Sequence, residues 1–434
     1  MKQKYNLKVN VYEAANNRIE TIFKEFDNIY VSFSGGKDSG VMLNLVVDYM
    51  RKNNITRKIG VFHLDYEAQY QQTTDYTSEV LDSNKDIFEV YRVCLPIKSQ
   101  CCTSMTQSYW LPWEKAKEDI WVREMPEDGI NETNHNFDFW KPKMSDYEFQ
   151  TKFSTWYHKK MNAKRTACLV GIRTQESLHR WRAIHSDKNY KNYNGLKWTK
   201  TISENVYNAY PIYDWLTTDV WTANAKFNWN YNKLYDLYYQ AGVGIEQMRV
   251  ASPFNDAAPS SLHLYKIIDP YNWAKMLGRV NGVNFTGLYG GTTAMGWQSI
   301  KLPPNHTWKS YMYFLLSTLP EETKENYLAK LETSFKFWKE KGGVLSKETI
   351  SELKSAGVDI KVADTTNYNT DKKPVRMNYL DDFKGTDAKL IPTYKRMCIC
   401  IMKNDHLCKY MGFSLTKNEM ERRSNVIKKY KNLL

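Results

Sequence analysis

The stretch Ile29-Tyr30-Val31-Ser32-Phe33-Ser34-Gly35-Gly36-Lys37-Asp38-Ser39-Gly40 decides the fold. An apolar, β-rich run stops at Phe33, a Ser-Gly-Gly-Lys-Asp-Ser turn follows, and Val41, Met42, Leu45, Val46 and Tyr49 then recur with helical spacing. Strand, glycine turn and helix start together aim several backbone N–H groups at one point, which is how a fold holds a phosphate. Gly35 and Gly36 let the backbone approach oxygen atoms closely. Ser34 and Ser39 add hydroxyls, Lys37 adds a point charge, and Asp38 or Ser39 is a natural cap for the helix. The spacing is neither that of the Walker loop nor G-x-G-x-x-G.

Working outward, residues 5–27 carry a helical pattern, and 58–65 read as a second strand ending at Asp65. A helix between the two strands makes a βαβ unit, so the phosphate turn and Asp65 share one sheet edge, where ligands of open α/β sheets bind. Residues 87–93 alternate as a third strand. Residues 95–165 then interrupt the rhythm with Cys101-Cys102 and Trp110, Trp113, Trp121, Trp140 and Trp156, and are read as an inserted lid or substrate-shaping element. Thr166–Ile172 is a strongly apolar fourth strand running into Arg173-Thr174-Gln175-Glu176-Ser177-Leu178-His179-Arg180. Its end delivers Gly171 and Arg173 to the edge that holds Lys37 and Asp65. Arg173 and Arg180 suit phosphate or sulfate oxygens. Residues 206–212 form a fifth strand, followed by Pro211-Ile212-Tyr213-Asp214-Trp215 and Asp219-Val220-Trp221, whose carboxylates read as structural.

These three motifs, in this order over residues 29–221, resemble the phosphoadenosine phosphosulfate (PAPS) reductase family within the adenine-nucleotide α-hydrolase-like superfamily. Ser34–Ser39 looks like its SGGxDS pyrophosphate loop. Gly171-Ile172-Arg173 with Glu176-Ser177 and Arg180 resembles its Gly-Ile/Val-Arg…Glu-Ser…Arg motif. The resemblance implies a twisted parallel sheet of about five strands flanked by helices and an adenine nucleotide, ATP or PAPS, held by its phosphates, with Mg²⁺ on the pyrophosphate. On it, Lys37, Asp38 and Arg173 are catalytic candidates. Ser34, Gly35, Gly36, Ser39, Asp65, Gly171, Glu176 and Arg180 join them as nucleotide-binding candidates.

The chain has 434 residues, enough for two domains, with 42% hydrophobic and 25% charged residues. A net charge of +13 favours an anionic partner, nucleotide or nucleic acid among them, against the plain alternative of solubility. Mild basic clusters fall at Arg165–Arg182 and Arg422–Lys431. No run of about 18 apolar residues marks a membrane span, and the first residues lack a secretory pattern, so the expected location is cytoplasmic. The seven cysteines are expected as reduced thiols.

The expected boundary lies at 245/246: a nucleotide-binding α/β domain over 1–245, then a glycine-rich crossing and a mainly helical domain over 246–434. In the crossing, Arg279 and Gly290-Gly291-Thr292-Thr293 can meet a ligand or make a tight turn between domains. Helices are expected over 308–319, 321–341, 347–356 and 394–431, and residues 361–378 read as a polar loop. This half resembles the uncharacterised domain appended to some phage and bacterial PAPS-reductase-like proteins, an immunoglobulin-binding regulator among them. That likeness implies a ParB-like, sulfiredoxin-related partner.

Cys398, Cys400, His406 and Cys408 invite a zinc reading. On a helix, however, Cys398 and Cys400 point roughly 200° apart, and Met397, Ile399, Ile401 and Met402 favour a packed core. The Glu-Cys-Gly-x-His setting of the family's reductases is absent. The place after Met248 where some relatives carry cluster cysteines has none, so no iron–sulfur cluster is expected. The leading expectation is cleavage at the α–β phosphate bond, or transfer of an adenylyl or sulfur-containing group to an acceptor, nucleic acid among the possibilities. The alternatives are thiol-dependent PAPS reduction and a non-catalytic, nucleotide-gated regulator.

Overall fold

The structure is a computed structural model, and it describes residues 9–177, 180, 181, 184, 192–250, 252–256, 261–289, 300–363 and 372–413. The strands in chain order are β1 (Asn28–Ser32), β2 (Ile59–Leu64), β3 (Phe88–Val93), β4 (Ser99–Gln100), β5 (Tyr109–Trp110), β6 (Thr166–Val170), β7 (Thr199–Ser203), β8 (Val206–Ala209), β9 (Gly343–Leu345), β10 (Ile360–Val362) and β11 (Lys373–Met377). The main sheet has the order β3-β2-β1-β6-β8-β7. All its pairings are parallel except β7 with β8. The five expected strands are present. The sixth, β7, was not read from the sequence because Thr-Lys-Thr-Ile-Ser lacks an apolar run. It sits at an edge, where one polar face suffices.

Helices α1 (Val11–Glu25), α2 (Lys37–Lys52), α3 (Gln71–Asp82) and α4 (Asp146–Lys160) flank the sheet. The apolar faces of α1 and α2 bury Ile19, Ile22, Leu45 and Val46 with Ile29, Val31 and Leu169 in one core layer. A second layer contains Phe149, Phe153 and Tyr157 of α4 against Tyr30, Phe62 and Tyr91 of the strands. This narrows the reading of residues 95–165 as an inserted lid or substrate-shaping element. The later part of that segment supplies a core helix, because its aromatic residues at positions i, i+4 and i+8 form one apolar stripe. Asp214, expected to be structural, accepts from Arg18 at 2.9 and 2.6 Å.

The chain divides into two compact units. The first comprises residues 1–99, 110–255 and 263–280, the second 100–109, 256–262 and 281–434. This differs from a boundary at 245/246. Helix Pro270–Arg279 belongs with the first unit because Asp269 accepts from the Gln71 amide (2.8 Å) and Arg279 pairs with Glu67. The second unit packs helices Trp308–Ser317, Glu321–Glu340 and Tyr394–Met402 around Met312, Leu331, Cys398 and Cys400. It also carries the antiparallel sheet β10-β11-β9. Two of these strands lie in or beside the stretch read as a polar loop. Their alternation of Val375 and Met377 inward with Arg376 outward is too short to stand out in the sequence. Gly290-Gly291-Thr292-Thr293, Arg422–Lys431 and the rest of the expected terminal helix beyond 413 lie outside the described residues. Among the described residues no helix is long and apolar enough to cross a membrane.

Candidate functional site

The connections from β1 and β6 leave toward opposite sides of the sheet, so the crevice between their C-terminal ends is a topological switch point. The turn after β1 enters it. Gly35 takes a left-handed conformation, φ +73°. Gly36 is the N-cap of α2 and offers no side-chain cap. Neither Asp38 nor Ser39 caps the helix as expected, since both lie within its first turn. The first-turn amides, which no intrahelical carbonyl can satisfy, therefore receive no cap from the N-cap residue. The Ser34 and Ser39 hydroxyls are 3.0 Å apart, and Ser39 Oγ also donates to Gly36 O at 3.1 Å. These bonds close the turn across its mouth.

The loop is buttressed by residues that no motif announced. Asn232 Nδ2 donates to Gly35 O (3.0 Å) and to Thr73 Oγ1 (2.9 Å). The Lys37 amide donates to the Tyr235 hydroxyl at 2.9 Å. Lys37 itself is buried. Its Nζ donates to Met248 O (3.0 Å) and lies 3.4 Å from Asp38 Oδ2. Burial lowers the pKa of Lys37 below its ordinary 10.5; Asp38 opposes the change, and Arg173 and Arg249 add to it.

Gly171, at the end of β6, lies against the start of α2. A Cβ there would sit 2.7 Å from Asp38 O and 2.8 Å from Ser39 N. That close approach brings Arg173, which is 1% exposed, onto Asp38: Nε donates to Oδ1 at 2.6 Å. Arg173 Nη1 also donates to Gln175 Oε1 (3.0 Å) and Trp215 O (3.4 Å). Glu176 pairs with Arg180. Arg249 donates to Glu176 O at 3.2 Å, and Arg249, Arg173 and Asp38 all act electrostatically on Arg180. Lys37, Arg173, Arg180 and Arg249 thus gather at one strand-end corner around Asp38 and Glu176.

Asp65 is placed differently. Among the described residues it makes no hydrogen bond to 34–39. It is buried in an ion pair with Arg123 and accepts from the Glu67 amide at 2.9 Å. Burial pushes its pKa up, but Arg123 and His63 outweigh that and hold it below the usual carboxylate value of 3.8. Glu67 in turn binds Arg279 with two bonds, 2.8 and 3.0 Å, and takes the Trp113 and Val122 amides. Arg279 is therefore a structural clamp, not a ligand-facing residue. Arg123 and Glu67 lie outside any recognisable motif, and only the fold shows that they belong together.

All seven cysteines are buried. Cys398 and Cys400 sit in the core of the second unit, and burial pushes the Cys398 thiol up to about 12. Among the described residues no group of three His, Cys, Asp or Glu side chains is placed to hold a metal.

A protein-family model described as the phosphoadenosine phosphosulfate reductase domain matches residues 28–107 and 114–244. A second, described as a domain of unknown function (DUF3440), matches residues 242–422. The chain is 33% identical over 426 residues to the uncharacterized protein YbdN of Escherichia coli (strain K12), covering 97% of this chain and 95% of that one. Among solved structures, phosphoadenylyl-sulfate (PAPS) reductase from Candida auris is similar at 16% identity and a TM-score of 0.30, over 53% of this chain and 85% of that one. FMN adenylyltransferase from Candida glabrata is similar at 14% identity and 0.30, over 54% and 64%. With its strand–glycine-turn–helix motif, its Gly171–Arg173 strand end and a relative matched from end to end, the chain belongs to the phosphoadenosine phosphosulfate reductase family, in the branch that carries an appended DUF3440 domain.

Proposed function

We propose that the first unit binds ATP or PAPS through its phosphates on the loop Ser34–Ser39 and either cleaves the α–β phosphate bond of ATP, passing the adenylyl group to water or another acceptor with release of pyrophosphate, or transfers the sulfur-containing group of PAPS to an acceptor. The observation that carries this reading is the first turn of α2, which starts from Gly36 with no N-cap side chain, follows the left-handed Gly35 and is flanked by Lys37 and the Arg173–Asp38 pair. Backbone amides of that turn, with the Ser34 and Ser39 hydroxyls, hold non-bridging oxygens. Lys37 and Arg173 stabilise charge that grows on phosphate as the bond breaks. Gly171 allows the close approach, Glu176 orients Arg180, and Arg180 meets an outer anionic group. Asp65 supports the neighbouring loop through Arg123.

Mg²⁺ does not fit a protein-borne site here. The acidic residues among the nucleotide-site candidates at the two strand ends, Asp38 and Asp65, are committed to Arg173 and Arg123. Mg²⁺ travelling with the nucleotide needs only phosphate oxygens and water.

Thiol-dependent PAPS reduction is the weaker reading, because burial raises the thiol pKa of Cys94, Cys101, Cys102, Cys168, Cys398 and Cys400, opposite to what a nucleophile needs. The test incubates purified protein with ATP or with PAPS, with and without a ParB-like partner and nucleic acid. Pyrophosphate, AMP and sulfite are each measured. Lys37→Ala is expected to lower nucleotide turnover at least ~100-fold in a protein that still folds. Unchanged pyrophosphate release in that variant sinks the mechanism, and sulfite from a variant lacking all seven cysteines excludes the thiol route.

A further inference from the structure

A groove of about 530 Å³ opens on the first unit between helix Thr217–Lys226 and the segment 228–233. Trp221, Trp229 and Tyr231 supply its aromatic lining, and Asn224 and Lys233 its polar lining. Its size falls within the roughly 300–1,000 Å³ of small-molecule sites. The polar ends of two aromatic walls are tied off: Trp229 Nε1 donates to Asp48 at 2.9 Å, and the Tyr231 hydroxyl donates to Asp236 at 3.0 Å. Their rings are thereby held in fixed positions. The polar atoms of the helix beside them are not tied off. Asn224 is 5% exposed, yet neither its Oδ1 nor its Nδ2 has a hydrogen-bond partner among the described residues, and Trp221 Nε1 has none either. Residues 221 and 224 are one turn apart, so both unsatisfied groups lie on one helix face.

A buried carboxamide with both ends unpaired is costly, and such a cost in a native protein calls for an explanation. An acceptor and a donor side by side, flanked by fixed aromatic rings, match one chemistry closely. The edge of adenine offers a donor and an acceptor at the same spacing, and asparagine pairs with it bidentately. Aromatic rings stack on any base. Lys233, exposed at the rim, suits the phosphate that a base carries with it. The groove is separate from the phosphate loop but adjoins it: Trp221 meets Tyr235 edge-on at 5.3 Å, and the Tyr235 hydroxyl holds the Lys37 amide.

We propose that this groove seats an unpaired adenine base, from a single-stranded nucleic acid or a free nucleotide, as a second site beside the phosphate loop. The base stacks on the tryptophans and the Asn224 carboxamide swings to meet its edge, while the backbone phosphate lies on Lys233. This inference does not rest on the reading of residues 34–39, and Lys37→Ala is expected to leave it intact.

The test is fluorescence anisotropy of the full chain with a labelled eight-nucleotide oligo(dA), at a salt concentration that suppresses non-specific binding. An abasic strand of equal length and unlabelled AMP serve as competitors. The expected result is saturable oligo(dA) binding at least tenfold tighter than that of the abasic strand. Displacement by AMP assigns the free nucleotide as a sufficient occupant; oligo(dA) binding that AMP does not displace assigns the strand. Asn224→Leu is expected to weaken oligo(dA) roughly tenfold or more while unfolding at the same or a higher temperature, because it removes an unsatisfied buried amide. A purely structural Asn224 gives the reverse pattern, with lower stability and unchanged binding. Lys233→Glu, on an exposed side chain, carries the test if Asn224→Leu does not fold, and is expected to weaken binding and flatten its salt dependence. Equal affinity for oligo(dA) and the abasic strand overturns the proposal, as does indifference of oligo(dA) binding to both substitutions.

Discussion

Replacing Gly171 with alanine adds one methyl group at the point where β6 meets α2. The new carbon would lie 2.7 Å from Asp38 O, about 0.7 Å short of ordinary contact, and 2.8 Å from both Asp38 C and Ser39 N. All three atoms are backbone, so no side-chain rotation relieves the overlap. The strand end and the first helical turn must separate. Overpacking of this kind costs about 1–3 kcal/mol. The separation acts directly on the site, because Arg173 reaches Asp38 across the same junction through a 2.6 Å bond. Misplacement of a binding group by about 1 Å can cost on the order of 100-fold. Gly171→Ala is therefore expected to lose about 1–3 kcal/mol in urea denaturation and ~10–100-fold in affinity for ATP or PAPS by calorimetry. Stability within about 0.3 kcal/mol of the parent refutes the packing argument. Lowered stability with unchanged nucleotide affinity refutes the claim that this junction builds the phosphate site.

Arg279→Met leaves the fully buried Glu67 without its cation, and is expected to cost about 3–5 kcal/mol in the same denaturation assay; a loss under about 1 kcal/mol contradicts the clamp. His63 is buried with Nδ1 2.8 Å from Phe33 O, and burial lowers its pKa below 6.5. The unfolded chain therefore binds the proton more readily, and this contribution to stability is present above about pH 6.5 and falls as pH drops toward the folded value. His63→Phe is expected to flatten the urea-midpoint profile between about pH 5 and 7, and an unchanged slope counts against it. A Cys400→Ser/Cys408→Ser variant is expected to retain nucleotide turnover with reduced stability; loss of turnover with stability intact restores the thiol route.

The parallel sheet was legible because Ile29–Phe33, 59–64 and Thr166–Val170 are apolar runs that end in chemically marked turns. The glycine turn after β1 was legible for the same reason, since its residues are contiguous. What surrounds the loop was not. Asn232, Tyr235 and Met248 reach residues 35–37 across about 200 positions, through one side-chain amide, one hydroxyl and one backbone carbonyl, none of which leaves a pattern. The role of Asp65 was only partly readable, because its partner Arg123 lies in an irregular segment where spacing says nothing about direction. α4 was missed because an apolar stripe in a Trp-rich, mixed-charge segment looks the same whether it covers a sheet or a ligand. β10 and β11 were missed because three- and five-residue strands fall below the length at which alternation separates from chance.

The Tyr235 hydroxyl and the Met248 carbonyl hold the Lys37 amide and ammonium, the donors that the proposed phosphate site offers to a ligand. Any anion that claims the Lys37 amide and ammonium must first exchange with them. Inorganic phosphate or sulfate offers few oxygens and repays that exchange poorly. A nucleotide brings a chain of phosphates, a sugar and a base, and repays it through contacts elsewhere. On the function proposed above, this competition from its own chain biases the loop against simple anions. Discrimination of that sort needs no added bulk or opposing charge, only a neighbour that already holds the best donors.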